Sequence, residues 1–161
     1  MAVVGVGVDI LEIERMERVL ERSPRFVQKV FSEQERHYCE HKVRPAAHYA
    51  ARFAAREAVL KALGTGFGCG IKFSDISIEL DKKGKPLVIL EGRAKEIMEE
   101  KGVISVEVSL SHTQSLAVAN AVAITQAAVP EKEQKEDTKY KLQQSFKEMR
   151  SLLDEMDTPQ A

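Results

Sequence analysis

The chain has 161 residues, of which 43% are hydrophobic and 30% charged, and its formal net charge is −1. That length suits one domain with a real core, and the balanced charge excludes a whole-molecule field that gathers nucleic acid or an anionic membrane; a charged partner must be met by a local patch. Cys39 and Cys69 lack metal or redox spacing and read as free thiols, the first ten residues lack the basic leader of a signal peptide, and no apolar run reaches membrane-spanning length, so the expected location is the cytoplasm.

Val3 to Asp9 reads as a buried strand, with Val4, Val6 and Val8 on one face and Gly5, Gly7 and Asp9 on the other. A helix is predicted over Ile10–Glu21. Ile13, Met16, Val19 and Leu20 form its apolar side; Arg15, Arg18 and Arg22 make one polar stripe and Glu14, Glu17 and Glu21 another. Pro24 ends this helix or follows its end. Short helices follow over Phe26–Phe31 and Glu33–His41, the second capped by Ser32 with Glu35 as capping-box partner. The most regular segment is an alanine-rich helix, Ala46–Leu63, stopped by Gly64, after which Gly66, Gly68 and Gly70 alternate through a loop.

Ile76–Leu80 and Leu87–Leu90 form a predicted hairpin, and Arg93–Lys101 a helix closed by Gly102. Ile104–Leu110 alternates with Val106, Val108 and Leu110 inward, and Ser111-His112-Thr113 interrupts it. Leu116–Ile124 is apolar on both faces: Ala117, Ala119, Ala121 and Ala123 on one, and Leu116, Val118, Val122 and Ile124 around Asn120 on the other. A strand of that kind in so small a domain suggests a subunit interface. From Ala127 the composition turns to dense mixed charge. Leu142, Phe146, Met149, Leu153 and Met156 then recur at heptad spacing. The division is a domain over 1–126 and an appendage over 127–161, read as a charged linker and amphipathic helix or as a partly disordered tail.

Four features carry possible chemistry. Glu57 and Lys61 lie one helical turn apart, which fits a surface ion pair. Yet the wheel sets them between an alanine face and a face with Phe53 and Leu60, where a charge pair needs a metal or phosphate to justify it. Asp9 suits either the N-cap of the first helix or a ligand group at a strand's exit. Two carboxylates from separate elements are a usual provision for Mg²⁺, which adds phosphate oxygens and water. Gly64-Thr65-Gly66 is a helix stop or, beside Lys61, a loop whose backbone approaches a nucleotide; it is not a Walker A. His112, flanked by Ser111 and Thr113, is a structural hydrogen-bonder or a group that meets a ligand.

Gly5-Val6-Gly7-Val8-Asp9-Ile10, Arg52-Phe53-Ala54-Ala55-Arg56-Glu57-Ala58 running on to Lys61-Ala62-Leu63-Gly64-Thr65-Gly66, and Ser109-Leu110-Ser111-His112-Thr113 together resemble the three signatures of the holo-[acyl-carrier-protein] synthases, the small bacterial-type 4′-phosphopantetheinyl transferases. Phe73-Ser74-Asp75-Ile76 and Gly84-Lys85-Pro86 are also similar to family segments, so the likeness covers residues 1 to about 125. The resemblance implies an α+β fold of order β-α(3)-β(2)-α-β(2), here with an added C-terminal helical tail, and a homotrimer with active sites between subunits. It implies transfer of 4′-phosphopantetheine from coenzyme A to a serine of apo acyl carrier protein, with Mg²⁺, in support of fatty acid biosynthesis.

By the same resemblance Asp9 and Glu57 bind the metal, and Lys61 lies at the phosphates and protonates the departing nucleotide. Arg52, Gly64, Thr65, Gly66, Pro86, His112 and Thr113 line the coenzyme site, and Arg15, Arg22, Arg25 and Phe26 receive the acidic carrier. The base for the serine is a water on the metal, Glu57 through it, or His112. Arg56 stands where the family usually has lysine, and the tail from Ala127 has no counterpart in a typical member. A nucleotide-binding protein without turnover and an interaction scaffold built on the last strand and the tail are the rival expectations.

Overall fold

Small residues set the centre of the fold, because a helix can lie close against a sheet only where side chains leave room. The computed structural model describes residues 5–126, 140–141 and 143–151. The elements run β1 (Gly5–Glu12), α1 (Ile13–Arg22), α2 (Pro24–Val30), α3 (Glu33–Glu40), α4 (Pro45–Ala62), β2 (Ile76–Leu80), β3 (Pro86–Leu90), α5 (Gly92–Glu100), β4 (Val103–His112) and β5 (Leu116–Thr125). Only Ser23 separates α1 from α2; taken as one arm, they give the β-α(3)-β(2)-α-β(2) order of an α+β fold. β1, β5 and β4 pair antiparallel in the spatial order β1-β5-β4, and β2 and β3 form a separate hairpin.

α4 packs on this sheet through Ala54, Ala58 and Ala62, which share one buried core with Ala119, Ala121 and Ala123 of β5. Gly5 and Gly7 bring β1 into the same packing. A Cβ built on Gly7 falls 1.9 Å from the carbonyl oxygen of Ala58, and one on Gly5 falls 1.9 Å from that of Ala62. The glycine face of β1 is therefore the core face. The expectation of a strand buried as a whole is corrected on the other face: Val6, Val8 and Ile10 are 68%, 49% and 59% exposed. β5 behaves alike, with its alanines buried and Leu116 and Asn120 exposed on the other face.

Three boundaries move from their expected places. β1 continues to Glu12 because Ile10, Leu11 and Glu12 pair with Val118, Ala117 and Leu116 of β5. The first helix thus begins at Ile13, and Asp9, deep in the strand, does not cap it; the cap position belongs to Glu12, which makes no side-chain cap bond. Pro24 opens α2, where its missing N–H is no loss. β4 runs through Ser111 and His112, paired with Val118 and Ala117. The interruption falls just beyond, where the Thr113 hydroxyl accepts from the backbone N–H groups of Ser115 and Leu116 at 3.3 and 3.1 Å.

Other local readings hold. Ser32 and Glu35 form the capping box of α3, with bonds of 3.2 and 2.8 Å. α4 ends in a Schellman turn: the N–H groups of Gly64 and Thr65 reach the carbonyls of Lys61 and Leu60 at 3.0 and 2.8 Å, with Gly64 at φ 67°. A second core gathers Ile13, Met16, Phe31 and Tyr49, with Phe26 and Phe53 packed against it. Both cysteines are free, Cys39 buried and Cys69 exposed.

The chain divides into units 1–128 and 129–161. In the second, residues 140–141 and 143–151 are helical, with Phe146 and Met149 exposed. Leu142, Leu153 and Met156 of the heptad pattern lie outside the described residues.

Candidate functional site

The close seating of α4 on the glycines of β1 brings Asp9 beside the last turns of the helix. The Lys61 ammonium donates to Asp9 Oδ1 at 2.9 Å and to the Val8 carbonyl at 2.8 Å. Asp9 and Glu57 line a single cavity of about 340 Å³ together with Arg15, Met16, Phe26 and Phe53. Burial, and next the negative charge of Asp9, push the Glu57 carboxyl above its ordinary value, with Lys61 opposing. Among the described residues Glu57 makes no ion pair or hydrogen bond. Two carboxylates thus face one cavity, balanced by Lys61 at Asp9 and by Arg15 in the lining, and they offer oxygen donors to a cation.

The donor chemistry fits magnesium. Among the described residues no three His, Cys, Asp or Glu side chains converge as a metal cage. Two carboxylates completed by phosphate oxygens and water are what Mg²⁺ commonly takes. The Gly64–Gly66 loop leaves α4 directly after Lys61, and open space surrounds Gly66.

Arg52, Pro86 and His112 stand elsewhere. They line a second cavity of about 440 Å³ with Tyr38, His48, Lys85 and Ser111, and the two cavities share no lining residue. Arg52 is only 3% exposed. Its guanidinium lies 4.2 Å from the centre of the Tyr38 ring, its Nε has no hydrogen-bond partner, and no carboxylate pairs with it among the described residues. A buried cation without a counter-ion is costly unless an anion arrives. The His112 ring meets the His48 ring edge-on at 5.3 Å. The Thr113 hydroxyl is engaged in the turn before β5.

Arg22, Arg25 and Phe26 line a third, wide cavity with Lys29. Phe26 also lines the cavity of the carboxylates, and so does Arg15, so a basic surface leads from α2 to Asp9 and Glu57. Arg18 leaves this set, since it pairs with Glu14 at 2.8 Å on the exposed helix face.

Two features escaped the sequence reading. One is the ring cluster of Tyr38, His48 and His112, assembled from α3, α4 and β4 with no spacing to announce it. The other is the pairing of Arg56 with Glu35. Its signal was present: Arg52 and Arg56 sit one turn apart among alanines, on a stripe too apolar for unpartnered charge.

The fold and the site define a small α+β protein with a carboxylate–lysine cluster and a separate buried arginine. The chain belongs to the 4′-phosphopantetheinyl transferase superfamily, whose family model matches residues 5–129. It is 48% identical to the holo-[acyl-carrier-protein] synthase of Syntrophus aciditrophicus over 114 residues, 70% of this chain and 89% of that one. Among solved structures it is similar to the Helicobacter pylori holo-[acyl-carrier-protein] synthase in complex with coenzyme A, with a TM-score of 0.64 and 34% identity over 73% of this chain and 98% of that one. The holo-ACP synthase of Plasmodium yoelii matches with a TM-score of 0.66 and 34% identity, over 76% of this chain and 94% of the other.

Proposed function

We infer that the chain is a holo-[acyl-carrier-protein] synthase that moves 4′-phosphopantetheine from coenzyme A to a serine of apo acyl carrier protein, releasing adenosine 3′,5′-bisphosphate. The meeting of Asp9, Glu57 and Lys61 beside one cavity carries this reading, in a chain up to 49% identical to holo-[acyl-carrier-protein] synthases. In the reaction the serine oxygen forms a bond to the phosphorus that bears pantetheine. The bond from that phosphorus to the bridging oxygen breaks, and the nucleotide leaves with the electron pair.

Asp9 and Glu57 are the residues that would hold Mg²⁺, which supplies charge neutralisation on the diphosphate oxygens. Lys61, which reaches Asp9 in the free chain, turns its ammonium to the leaving phosphate and gives it a proton. Glu57 takes the serine proton, directly or through a water. Arg52, Pro86, His112, Thr113 and the Gly64-Thr65-Gly66 loop hold coenzyme A.

The separation of the two cavities supports a site shared between subunits of a homotrimer. One protomer brings Asp9, Glu57 and Lys61; its neighbour brings Arg52, Pro86 and His112. The exposed face of Val6, Val8, Ile10 and Leu116 supplies the apolar surface that such an interface buries. The acidic carrier docks on Arg15, Arg22, Arg25 and Phe26, where opposite charge speeds its encounter.

Residues 1–126 form the catalytic domain, and 127–161 an addition, all but its first three residues beyond the 5–129 span of the family model, that braces the assembly or meets a partner. The enzyme works in the cytoplasm and serves fatty acid biosynthesis; among the described residues no helix is long and apolar enough to cross a membrane. The test mixes the protein with apo acyl carrier protein, coenzyme A and Mg²⁺ and weighs the carrier by mass spectrometry. A phosphopantetheine adduct is expected. Its absence with every carrier tried refutes the activity.

A further inference from the structure

His48 belongs to none of the motifs that point to the transferase family, yet it stands inside the cavity of the buried arginine. It projects from α4, one turn before Arg52, and its backbone carbonyl accepts from Arg52 Nη1 at 3.4 Å. Its ring is held on two sides. Tyr38 of α3 meets it edge-on at 5.6 Å between ring centres, and His112 of β4 does so at 5.3 Å. The groups that bear on it electrostatically are basic: His112 on β4, Arg52 on its own helix, and Lys42 and Arg44 from the segment after α3; Lys85, across the cavity, is paired with Glu107 at 2.7 Å. No carboxylate lines this cavity.

The consequence is electrostatic. Burial, and next the basic groups around it, hold His48 below its ordinary value, which favours the neutral ring near pH 7. An anion reverses the balance. A phosphate ester carries between one and a half and two negative charges near neutrality, in round terms, with several acceptor oxygens, so it offers the imidazole both a counter-charge and a hydrogen-bond acceptor.

We propose that His48, seated edge-on against His112, takes up a proton when a nucleotide phosphate enters the Arg52 cavity. This rests on the coenzyme A reading given above and adds to it a residue and a proton. His48 becomes a ligand-positioning group whose charge appears only with the ligand. Binding then tightens as pH falls, and release of the nucleotide product is helped by loss of that proton. The free energy that holds the cavity's cations apart in the empty state is recovered by the ligand alone, which favours phosphorylated over dephosphorylated coenzyme A.

Calorimetric titration with coenzyme A, in buffers of different ionisation heat between pH 6 and 8, counts the protons taken up. The wild-type chain should take up a measurable fraction of a proton near pH 7, and its affinity should rise by up to about tenfold per pH unit in the steepest region, the limit for one linked proton. The ligand's own phosphate also titrates near pH 6, so the decisive quantity is the difference from His48→Phe, which keeps an aromatic ring against Tyr38 and His112. That variant should lose the His48 share of uptake and show a flatter affinity profile. A variant-free reading comes from ¹⁵N shifts of the imidazoles: the His48 signal should pass from neutral to charged when adenosine 3′,5′-bisphosphate is added at pH 7.

Coenzyme A binding with no change in the His48 signal, or with equal uptake in His48→Phe, overturns the proposal and leaves the transferase reading standing. Failure of coenzyme A to bind at all overturns both.

Discussion

Arg56 and Glu35 face each other fork to fork, with Nη1 2.9 Å from Oε1 and Nη2 2.6 Å from Oε2, and neither side chain is exposed. The pair is fully satisfied. Glu35 also accepts from the backbone N–H groups of Ser32 at 2.8 Å and Ile78 at 3.0 Å, while Arg56 donates to the carbonyls of Phe73 and Arg52 at 3.3 and 3.2 Å. One carboxylate therefore ties α3, α4 and β2 together just below Glu57. Arg56→Ala leaves a buried unpaired carboxylate and should lose about 3–5 kcal/mol in urea unfolding. Arg56→Lys keeps the charge but cannot reproduce the fork and both carbonyl contacts, so its loss should be smaller yet clear. An unchanged unfolding midpoint for Arg56→Ala would show that the pair is replaceable.

Gly7 tests the other support of the site. Its missing side chain lets the Ala58 carbonyl approach to within 1.9 Å of where a Cβ belongs, and that neighbour is backbone, unable to swing aside. Gly7→Ala must lift β1 from α4 and shift Asp9 away from Lys61. Thermal unfolding should fall by ten degrees, in round terms, or the protein should be insoluble, as overpacking of about 1–3 kcal/mol or more predicts. Gly66→Ala meets nothing within 4 Å and should leave the midpoint nearly unmoved.

These two positions also show where sequence reasoning reaches and where it stops. Alternation along β1 sorted its side chains into the right faces, because period two is a local property. It read the whole strand as buried, whereas only the glycine face is, because burial depends on how near α4 comes, and the clue lay in glycines that permit contact. Asp9 looked like a helix cap for a similar reason: the Asp9-Ile10 step suits a cap locally, whereas pairing with β5 keeps the chain extended for three more residues. Helix stops, the capping box and the hairpin were legible because each is written within a few neighbouring residues. The His48–His112 contact and the Arg56–Glu35 fork join distant segments, and one sequence carries no direct record of them.

Glu57 should make the free chain less stable near neutrality while being needed for turnover. Burial and Asp9 raise its folded value, so the ionised form is the less favourable one in the folded chain. A raised carboxyl stabilises the fold at low pH, and that contribution is lost as pH rises through the folded value. Glu57→Gln should therefore melt slightly higher than the wild type at pH 7. The gain should vanish below about pH 4, where an unfolded glutamate is also protonated. Carrier modification should fall by about a hundredfold or more. Mg²⁺ with coenzyme A should raise the wild-type melting point and leave the variant nearly unmoved.

Arg15 and Arg22 should act on the carrier and spare the nucleotide. They line adjoining cavities joined by Phe26 and lie apart from the Arg52 cavity. Reversing both to glutamate should raise KM for apo acyl carrier protein about tenfold or more at low salt, with coenzyme A affinity unchanged. Added salt should weaken the wild type toward the variant, since exposed charges are screened within about 10 Å at 0.1 M. A carrier KM that ignores both charge reversal and salt would remove the docking surface from this face.

The division of the site between two cavities makes a sharper demand. If one protomer supplies Asp9 and its neighbour supplies Arg52, then Asp9→Ala and Arg52→Gln damage different halves of the same site. Each variant alone should be nearly inactive. Mixed in equal amounts and allowed to exchange, they form hybrid trimers in which a site is whole only when an Arg52→Gln protomer provides Asp9 and an Asp9→Ala protomer provides Arg52. Random assortment makes that combination about one site in four, so activity should return to about a quarter of wild type in a cyclic assembly. A site contained in one chain cannot be rescued this way, because every protomer in the mixture carries a lesion. The exchange itself must be shown by mass measurement of tagged subunits. Val8→Glu, which puts a charge on the exposed face of β1, should prevent it and hold the mixture at the level of its inactive components.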